Sequence, residues 1–181
     1  MNTPHGDGPL LVVMGVSGSG KTTMGLALAH HLGVEYGDAD DFHSAASVAK
    51  MRSGVPLTDA DREPWLCAIA HWLQQRAGAG AVASCSALRR RYRDTLREAA
   101  PATAFVHCTA DRDVIAQRMR ERTDHFMPAA LLDSQLETLE PLEPDEAGLT
   151  VDMDEPVDVL VGSVLSWWND VQVSRTGGKH T

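Results

Sequence analysis

Short apolar runs alternate with segments of helical spacing along most of the chain. Residues 10–14, 81–85, 104–108 and 149–153 are apolar runs of strand length, and residues 34–37 form a shorter candidate strand. After each of the four longer runs, apolar residues recur at helical spacing. Alternation of this kind is typical of a mainly parallel sheet covered by helices. The pattern therefore predicts an α/β fold with a five-stranded sheet.

Two apolar stripes are the clearest helix signals. The first comprises Trp65, Leu66, Ile69, Trp72 and Leu73, and the second lies within residues 157–168. We interpret these tryptophans as core residues. We expect Asp61 to cap the first helix, which would leave Pro64 in the first turn, where proline is tolerated. The polar residues after the second stripe predict a flexible tail over residues 172–181.

Length and charge narrow the class of protein. A chain of 181 residues is of ordinary length for one domain, so we expect residues 1–181 to form a single unit. The formal net charge of -9 argues against a nucleic-acid partner, which needs a surplus of Lys and Arg. The three cysteines are widely spaced, and no segment is long and apolar enough to enter a membrane. These features predict a cytoplasmic protein with no membrane partner.

The strongest motif follows the first predicted strand. The segment G-V-S-G-S-G-K-T matches the phosphate-binding loop G-x-x-x-x-G-K-[ST] in its required place between a strand and a helix. The candidate ATP-binding residues are Gly15, Val16, Ser17, Gly18, Ser19, Gly20, Lys21 and Thr22. Lys21 is expected to reach the β- and γ-phosphates, and Thr22 to ligate Mg²⁺. The motif predicts binding of ATP or GTP, and the absence of an N-K-x-D segment favours a small-molecule phosphotransferase over a regulatory GTPase.

Three acids follow the second predicted strand, at the end where open α/β sheets bind ligands. The D-x-D spacing of Asp38 and Asp40 places both carboxylates on one side of an extended chain. We assign Asp38 to Mg²⁺ and Asp40 to the acceptor hydroxyl, as positioning group and general base. The alternative for Asp40 is a helix cap, and for Asp41 the cap is the preferred interpretation. For His43, composition alone gives no reason to prefer a ligand role.

Several further segments together resemble the gluconokinase family, small P-loop kinases related in fold to shikimate and adenylate kinases. Beside the phosphate loop, the segments are D-A-D-D-F-H from Asp38, K-M-x-S-G-x-P-L-x-D-x-D-R-x-P-W-L from Lys50, C-S-A-L-R-R-x-Y-R-D-x-L-R from Cys85, R-x-R-x-x-H-F from Arg120 and Q-x-E-T-L-E from Gln135. The resemblance covers about residues 10–168. It implies ATP and Mg²⁺ as cofactors, gluconate as substrate and a homodimer.

The resemblance also implies roles for individual residues. Asp40, His43 and Ser86 would contact gluconate, with a substrate-binding helical lobe over about residues 43–76. Arg62 would bind the substrate carboxylate through its forked guanidinium, and Arg93 is the second candidate. The alternative for Arg62 is an exposed arginine at the start of a helix.

A lid over about residues 118–135 is the last expectation from the resemblance. Arg118 and Arg122 lie four residues apart and would neutralise charge on the transferred phosphoryl group, whereas sequence alone favours a solvated basic helix. Asp124 departs from the family pattern, where a glycine precedes His125 and Phe126. Two other functions stay open: a kinase for another small hydroxy acid or polyol such as shikimate, and a nucleotide-binding switch without catalysis.

Overall fold

The computed structural model describes the backbone of residues 8–121 and 129–177 and the side chains of residues 8–121 and 131–175. The strands are β1 Leu10–Met14, β2 Glu35–Asp38, β3 Ala81–Ser84, β4 Ala104–Thr109 and β5 Gly148–Asp152. They form one sheet in the order β2-β3-β1-β4-β5, and every neighbouring pair is parallel. The predicted α/β fold with a five-stranded parallel sheet is confirmed.

Helices cover both faces of the sheet. They are α1 Lys21–Leu32, α2 Ala45–Arg52, α3 Asp59–Gln74, α4 Arg90–Ala99, α5 Arg112–Glu121, α6 Ala129–Thr138 and α7 Val157–Gly177, with a 3₁₀ turn at Ala39–Phe42. Among the described helices, none has the length and apolar character needed to cross a membrane.

The core has a layer on each side of the sheet. One layer joins alternate residues of β1 to α3 and α4, and the other joins the intervening residues to α1 and α7. Trp65 and Trp168 are buried, one in each layer, as the two stripes predict. Because strands of a parallel sheet are buried on both faces, β1 reads as a continuous apolar run.

The N-terminus of α3 differs from the prediction. Thr58 is the cap: its hydroxyl accepts from the amide of Asp61, and the Asp61 carboxylate accepts from the amide of Thr58. Asp61 is therefore the third helical residue of a capping box, in which two otherwise unpaired amides are satisfied reciprocally. Pro64 consequently lies in the second turn of α3.

The prediction that Asp41 caps the helix after β2 is also wrong. Ser44 caps α2, with its hydroxyl accepting from the amide of Ser47. Asp38 caps the preceding 3₁₀ turn by accepting from the amide of Asp40 at 3.0 Å. Asp41 is an exposed residue within that turn.

The last helix is longer than the apolar stripe predicts. It continues to Gly177, so residues 172–177 of the predicted flexible tail are helical. The guanidinium of Arg175 lies over the Trp168 ring at 5.9 Å and bonds to the carbonyl of Ala102. This long polar side chain continues the packing where apolar residues end.

Candidate active site

Three loops meet at the carboxyl ends of β1, β2 and β3. The loop after β1 touches the loop after β3, because the amide of Gly15 donates to the carbonyl of Ser86 at 3.3 Å. Burial raises the pKa of Cys85 to about 12, and the charges of Lys21, Asp40 and Asp38 also act on this thiol. The predicted phosphate, acceptor and metal residues therefore lie together at the carboxyl end of the sheet.

The phosphate loop has the backbone that its glycines predict. Gly18 and Gly20 have φ values of 76° and 101°, a region that favours glycine. A Cβ atom at either residue would lie 2.8 Å from the side chain of Met119 or Met153. Within the described residues nothing accepts a hydrogen bond from the amides of Gly18 and Gly20, so both amides can donate to phosphate. Lys21 starts α1, and its Nζ donates to the carbonyl of Val16 at 3.0 Å.

The metal candidates offer oxygen ligands of the kind that Mg²⁺ prefers. Thr22 is exposed in the first turn of α1, and Asp38 ends β2 with one carboxylate oxygen bonded to the amide of Asp40. Burial raises the pKa of Tyr36, whose hydroxyl lies 2.6 Å from that of Ser84 and also contacts Thr22. The described residues hold no group of three or more His, Cys, Asp or Glu side chains placed for a metal. The residues fit a kinase Mg²⁺ ion, which takes one or two protein ligands and completes its shell with phosphate and water.

Asp40 and His43 are the residues predicted to contact the acceptor. The Asp40 side chain is 89% exposed, and its carboxylate lies 4.0 Å from Nε2 of His43, whose side chain is 7% exposed. The imidazole stacks on Trp65 at 4.5 Å, and the Trp65 indole donates to the carbonyl of Ala39. Burial lowers the pKa of His43, the Asp40 carboxylate opposes that shift, and the charge of Arg62 adds to it. The site thus combines an exposed carboxylate with a fixed, neutral imidazole.

Arg62 lies in α3, within the predicted substrate-binding lobe of about residues 43–76, and most of its guanidinium donors are unused among the described residues. Its nearest acid is Asp59, at 3.9 Å, and within the described residues its guanidinium makes no hydrogen bond. Asp59 instead accepts from the hydroxyl of Tyr92 and from Arg91. Lys50 pairs with Asp61 at 2.8 Å and holds α2 to the start of α3. The geometry leaves Arg62 free to bind an anion.

Arg93 does not fit its predicted substrate role. Its side chain is fully buried and forms a two-pronged pair with Glu146, with Nε and Nη2 at 2.7 and 2.8 Å from the carboxylate oxygens. The guanidinium also donates to the carbonyls of Ala87 and Glu140. Every part of the fork is committed within the fold, so Arg93 is not available to gluconate.

Arg89 is a candidate that the sequence reasoning did not select. It immediately precedes α4, and its Nε is buried without a hydrogen-bond partner among the described residues. The pKa of Asp59 is lowered mainly by the Tyr92 hydroxyl, with smaller contributions from Arg91 and Arg89. Arg62 lies 3.9 Å from the same carboxylate. In sequence, Arg89 is one of three consecutive arginines, and nothing local separates it from the others.

The predicted lid is described only in part. Arg118 donates to the carbonyl of Met153 at 3.1 Å and lies 3.8 Å from Asp154, so it faces the loop after β5. Met153 also packs against Gly20, which brings this loop close to the end of the phosphate loop. Arg122, together with Asp124, His125 and Phe126, lies outside the described residues.

Gln135 is a second residue that the sequence reasoning did not assign to the site. Its side-chain oxygen accepts from the amide of Ser17 at 2.7 Å, and its side-chain nitrogen donates to the Ser17 hydroxyl at 3.2 Å. Gln135 was part of a quoted family segment, but no feature of that segment indicates contact with a loop 118 residues away.

Comparison with known proteins identifies the family of this chain. A family model described as an AAA domain matches residues 10–142. A gluconokinase from Gluconobacter oxydans is 46% identical, with 86% of this chain and 88% of that protein covered. The thermoresistant gluconokinase of Escherichia coli is 40% identical, over 91% and 96% of the two chains.

Solved structures give the same result. The crystal structure of a gluconokinase from Sinorhizobium meliloti superposes with a TM-score of 0.85 at 42% identity, covering 96% of this chain and 98% of that one. A shikimate kinase from Acinetobacter baumannii, at 17% identity and a TM-score of 0.56, shares the fold alone. The phosphate loop, the acids after β2 and the arginine of α3 thus occur in a chain that belongs to the gluconokinase family.

Proposed function

We propose that this protein transfers the γ-phosphoryl group of ATP to the terminal hydroxyl of gluconate, giving 6-phosphogluconate. The observation that carries the proposal is the exposed Asp40 carboxylate at the same end of the parallel sheet as the phosphate loop, in a chain 46% identical to a gluconokinase along most of its length. Family likeness supports the substrate, and the geometry supports phosphoryl transfer to a small acceptor.

Catalysis would rest mainly on positioning and on stabilisation of charge. The amides of Gly18 and Gly20 and the positive end of α1 would hold the β- and γ-phosphates. Lys21 would leave the carbonyl of Val16 and bind the same oxygens. Thr22 and Asp38 would hold Mg²⁺, which neutralises phosphate charge when bound.

Asp40 would orient the acceptor hydroxyl towards the γ-phosphate and accept its proton as transfer proceeds. Its exposure keeps the carboxylate accessible to the sugar. His43, held on Trp65 and kept neutral by burial, can donate one hydrogen bond and accept another. We assign it and Ser86 to the hydroxyl groups of gluconate.

The gluconate carboxylate would bind between Arg62 and Arg89. Among the described residues, the Arg62 guanidinium makes no hydrogen bond and the buried Nε of Arg89 has no partner. Arg62 lies 3.9 Å from the Asp59 carboxylate, and the charge of Arg89 also acts on that carboxylate. A pair of arginines around one carboxylate provides geometric selectivity as well as charge. Arg118 and Arg122 are proposed to complete the nucleotide side, the first from α5.

Two broader properties belong to this proposal. The free thiols Cys67, Cys85 and Cys108 support a reducing, cytoplasmic location.

The family resemblance supports a homodimer, which light scattering of the purified protein would test. A monomer at micromolar concentration would contradict the dimer.

The decisive experiment is an assay of ATP-dependent ADP release with a panel of acceptors. The panel contains gluconate, other sugar acids, shikimate and the neutral polyol sorbitol. We expect turnover with gluconate to exceed that with every other acceptor. Faster turnover with shikimate would identify a different kinase, and slow ATP hydrolysis unaffected by any acceptor would indicate a nucleotide-binding switch.

A further inference from the structure

The contact between Gln135 and the phosphate loop is not explained by substrate binding. Oε1 accepts from the backbone amide of Ser17, and Nε2 donates to the Ser17 hydroxyl. Of the uncharged side chains, only an amide supplies a carbonyl acceptor and an N–H donor side by side. Both ends of the Gln135 amide are used on one residue in the middle of the loop.

The helix that carries Gln135 is itself packed against this loop. Leu132, one turn earlier in α6, is buried in an apolar cluster with Val16 of the loop. Ile115 and Met119 of α5 belong to the same cluster. The apolar contact fixes the distance between α6 and the loop, so the Gln135 side chain is held in reach of Ser17.

Ser17 precedes Gly18 and Gly20, whose amides make no hydrogen bond within residues 8–121 and 131–175. A loop built around glycines has many accessible backbone conformations, and ordering it on nucleotide binding costs conformational entropy. Bonds that fix the Ser17 backbone in advance reduce that cost. The same bonds fix the residue directly before Gly18.

We propose that Gln135 is a positioning residue that holds the phosphate loop ready for ATP through Ser17. It acts on the nucleotide through the loop and does not contact the acceptor. The inference rests on the proposed function where gluconate kinetics are measured. The measurement of ATP affinity does not depend on that function.

The test replaces Gln135 with methionine, which keeps the length and the apolar stem but loses both hydrogen bonds. We expect weaker binding of ATP by about tenfold, the size of one to two net hydrogen bonds. The KM for gluconate should change less than twofold. Gln135→Glu keeps the acceptor but adds negative charge beside the phosphates, so its loss of ATP affinity should exceed that of Gln135→Met.

Two controls separate positioning from general damage. Gln75→Ala removes an exposed glutamine at the end of α3, where its side chain bonds to His71, and should leave ATP affinity unchanged. Ser17→Ala combined with Gln135→Met should weaken ATP binding by less than the product of the separate effects, because both substitutions remove the bond between Gln135 Nε2 and the Ser17 hydroxyl. The inference would be overturned if Gln135→Met weakened ATP binding and raised the KM for gluconate by the same factor. It would also be overturned if the ATP affinity of this variant stayed within twofold of wild type.

Calorimetry with a non-hydrolysable ATP analogue keeps the two proposals distinguishable. Wild-type protein that binds the analogue but shows no gluconate turnover would refute the proposed function alone. A Gln135→Met protein that binds the analogue as well as wild type does would refute the positioning role alone. The melting temperature of each variant shows whether the protein compared is folded.

Discussion

Asp40 and His43 show how two neighbouring polar residues receive opposite surroundings. The 3₁₀ turn holds the Asp40 carboxylate out in solvent, whereas stacking on Trp65 encloses the His43 ring. The exposed carboxylate is accessible to a ligand, whereas burial lowers the pKa of His43 and so favours the neutral imidazole. The difference suits Asp40 to bind the reacting hydroxyl and His43 to bind hydroxyls that do not react.

Replacing Asp40 with asparagine tests its proposed role as the proton acceptor. The variant keeps the size of the side chain but loses the proton acceptor, so kcat should fall by about 10²- to 10⁴-fold. ATP affinity should stay within about twofold of wild type. Steady-state kinetics and nucleotide titration measure the two quantities.

Asp41→Asn is the matched control, because Asp41 is an exposed acid in the same turn. Its kcat should stay near the wild-type value. An Asp40→Asn enzyme that keeps more than about a tenth of wild-type turnover would show that no positioned base acts there.

Arg62 and Arg89 can be tested through the selectivity for a carboxylate. Arg62→Gln and Arg89→Gln should each raise the KM for gluconate by about tenfold or more, because a charged hydrogen bond contributes more than a neutral one. Turnover with sorbitol, which has no carboxylate, should hardly change. The ratio of kcat/KM for gluconate to that for sorbitol is the quantity to measure.

Arg52→Gln removes an exposed arginine from α2 in the same lobe and should leave that ratio unchanged. If Arg89→Gln lowers kcat/KM equally for gluconate and sorbitol, Arg89 does not bind the carboxylate.

At the scale of elements, the Arg93–Glu146 pair connects α4 to the loop before β5. Burial by itself would raise the pKa of Glu146, but hydrogen bonds from Arg93 and from the amide of Glu143 lower it. The ionised pair is thus favoured although both side chains are fully enclosed. The pair holds Glu140 and Ala87 through their carbonyls, next to the loop that contains Ser86.

Glu146→Gln should destabilise the fold by about 3–5 kcal/mol, because it leaves the Arg93 charge buried without its partner. Urea denaturation measures the free energy of unfolding. Asp145→Asn is the control: Asp145 pairs with Arg90 at the surface, where water screens the charges, and its loss should cost much less. Equal effects of the two substitutions would mean that the buried pair has no special structural role.

At the scale of the whole molecule, two enclosed histidines link stability to pH. Burial lowers the pKa of His107, with a further contribution from the charge of Arg93, and burial also lowers that of His43. Between the lowered pKa and the ordinary value of 6.5, the unfolded chain binds more protons than the folded one. The contribution of the two histidines to the free energy of unfolding is therefore fully present above about pH 6.5. It is lost as the pH falls through the lowered pKa values.

The melting temperature should consequently decrease between pH 7.5 and pH 5, before most carboxylates titrate. His107→Gln should reduce that decrease, and His30→Gln, at an exposed position on α1, should leave it unchanged. A melting temperature independent of pH over this range would contradict the role of the buried histidines.

Much of the architecture could be predicted because its signals are local. The apolar runs predict the strands within one or two residues, and the phosphate loop matches its motif over eight consecutive positions. Helix starts were less predictable. Asp41 and Asp61 are plausible caps, but Ser44 and Thr58 take that role, since the choice between nearby polar residues depends on the path by which the chain enters the helix.

The sequence by itself determined the sheet, the phosphate loop, the acids after β2 and the resemblance to gluconokinases, because each is a pattern of neighbouring residues. Only the tertiary structure decided which arginines are free. Arg93 is paired with Glu146, 53 residues away, while Nε of Arg89 has no hydrogen-bond partner in the part of the chain that the structure describes. The link from Gln135 to Ser17 likewise spans 118 residues. Burial and long-range pairing depend on how the elements pack, so the sequence next to a residue does not indicate them.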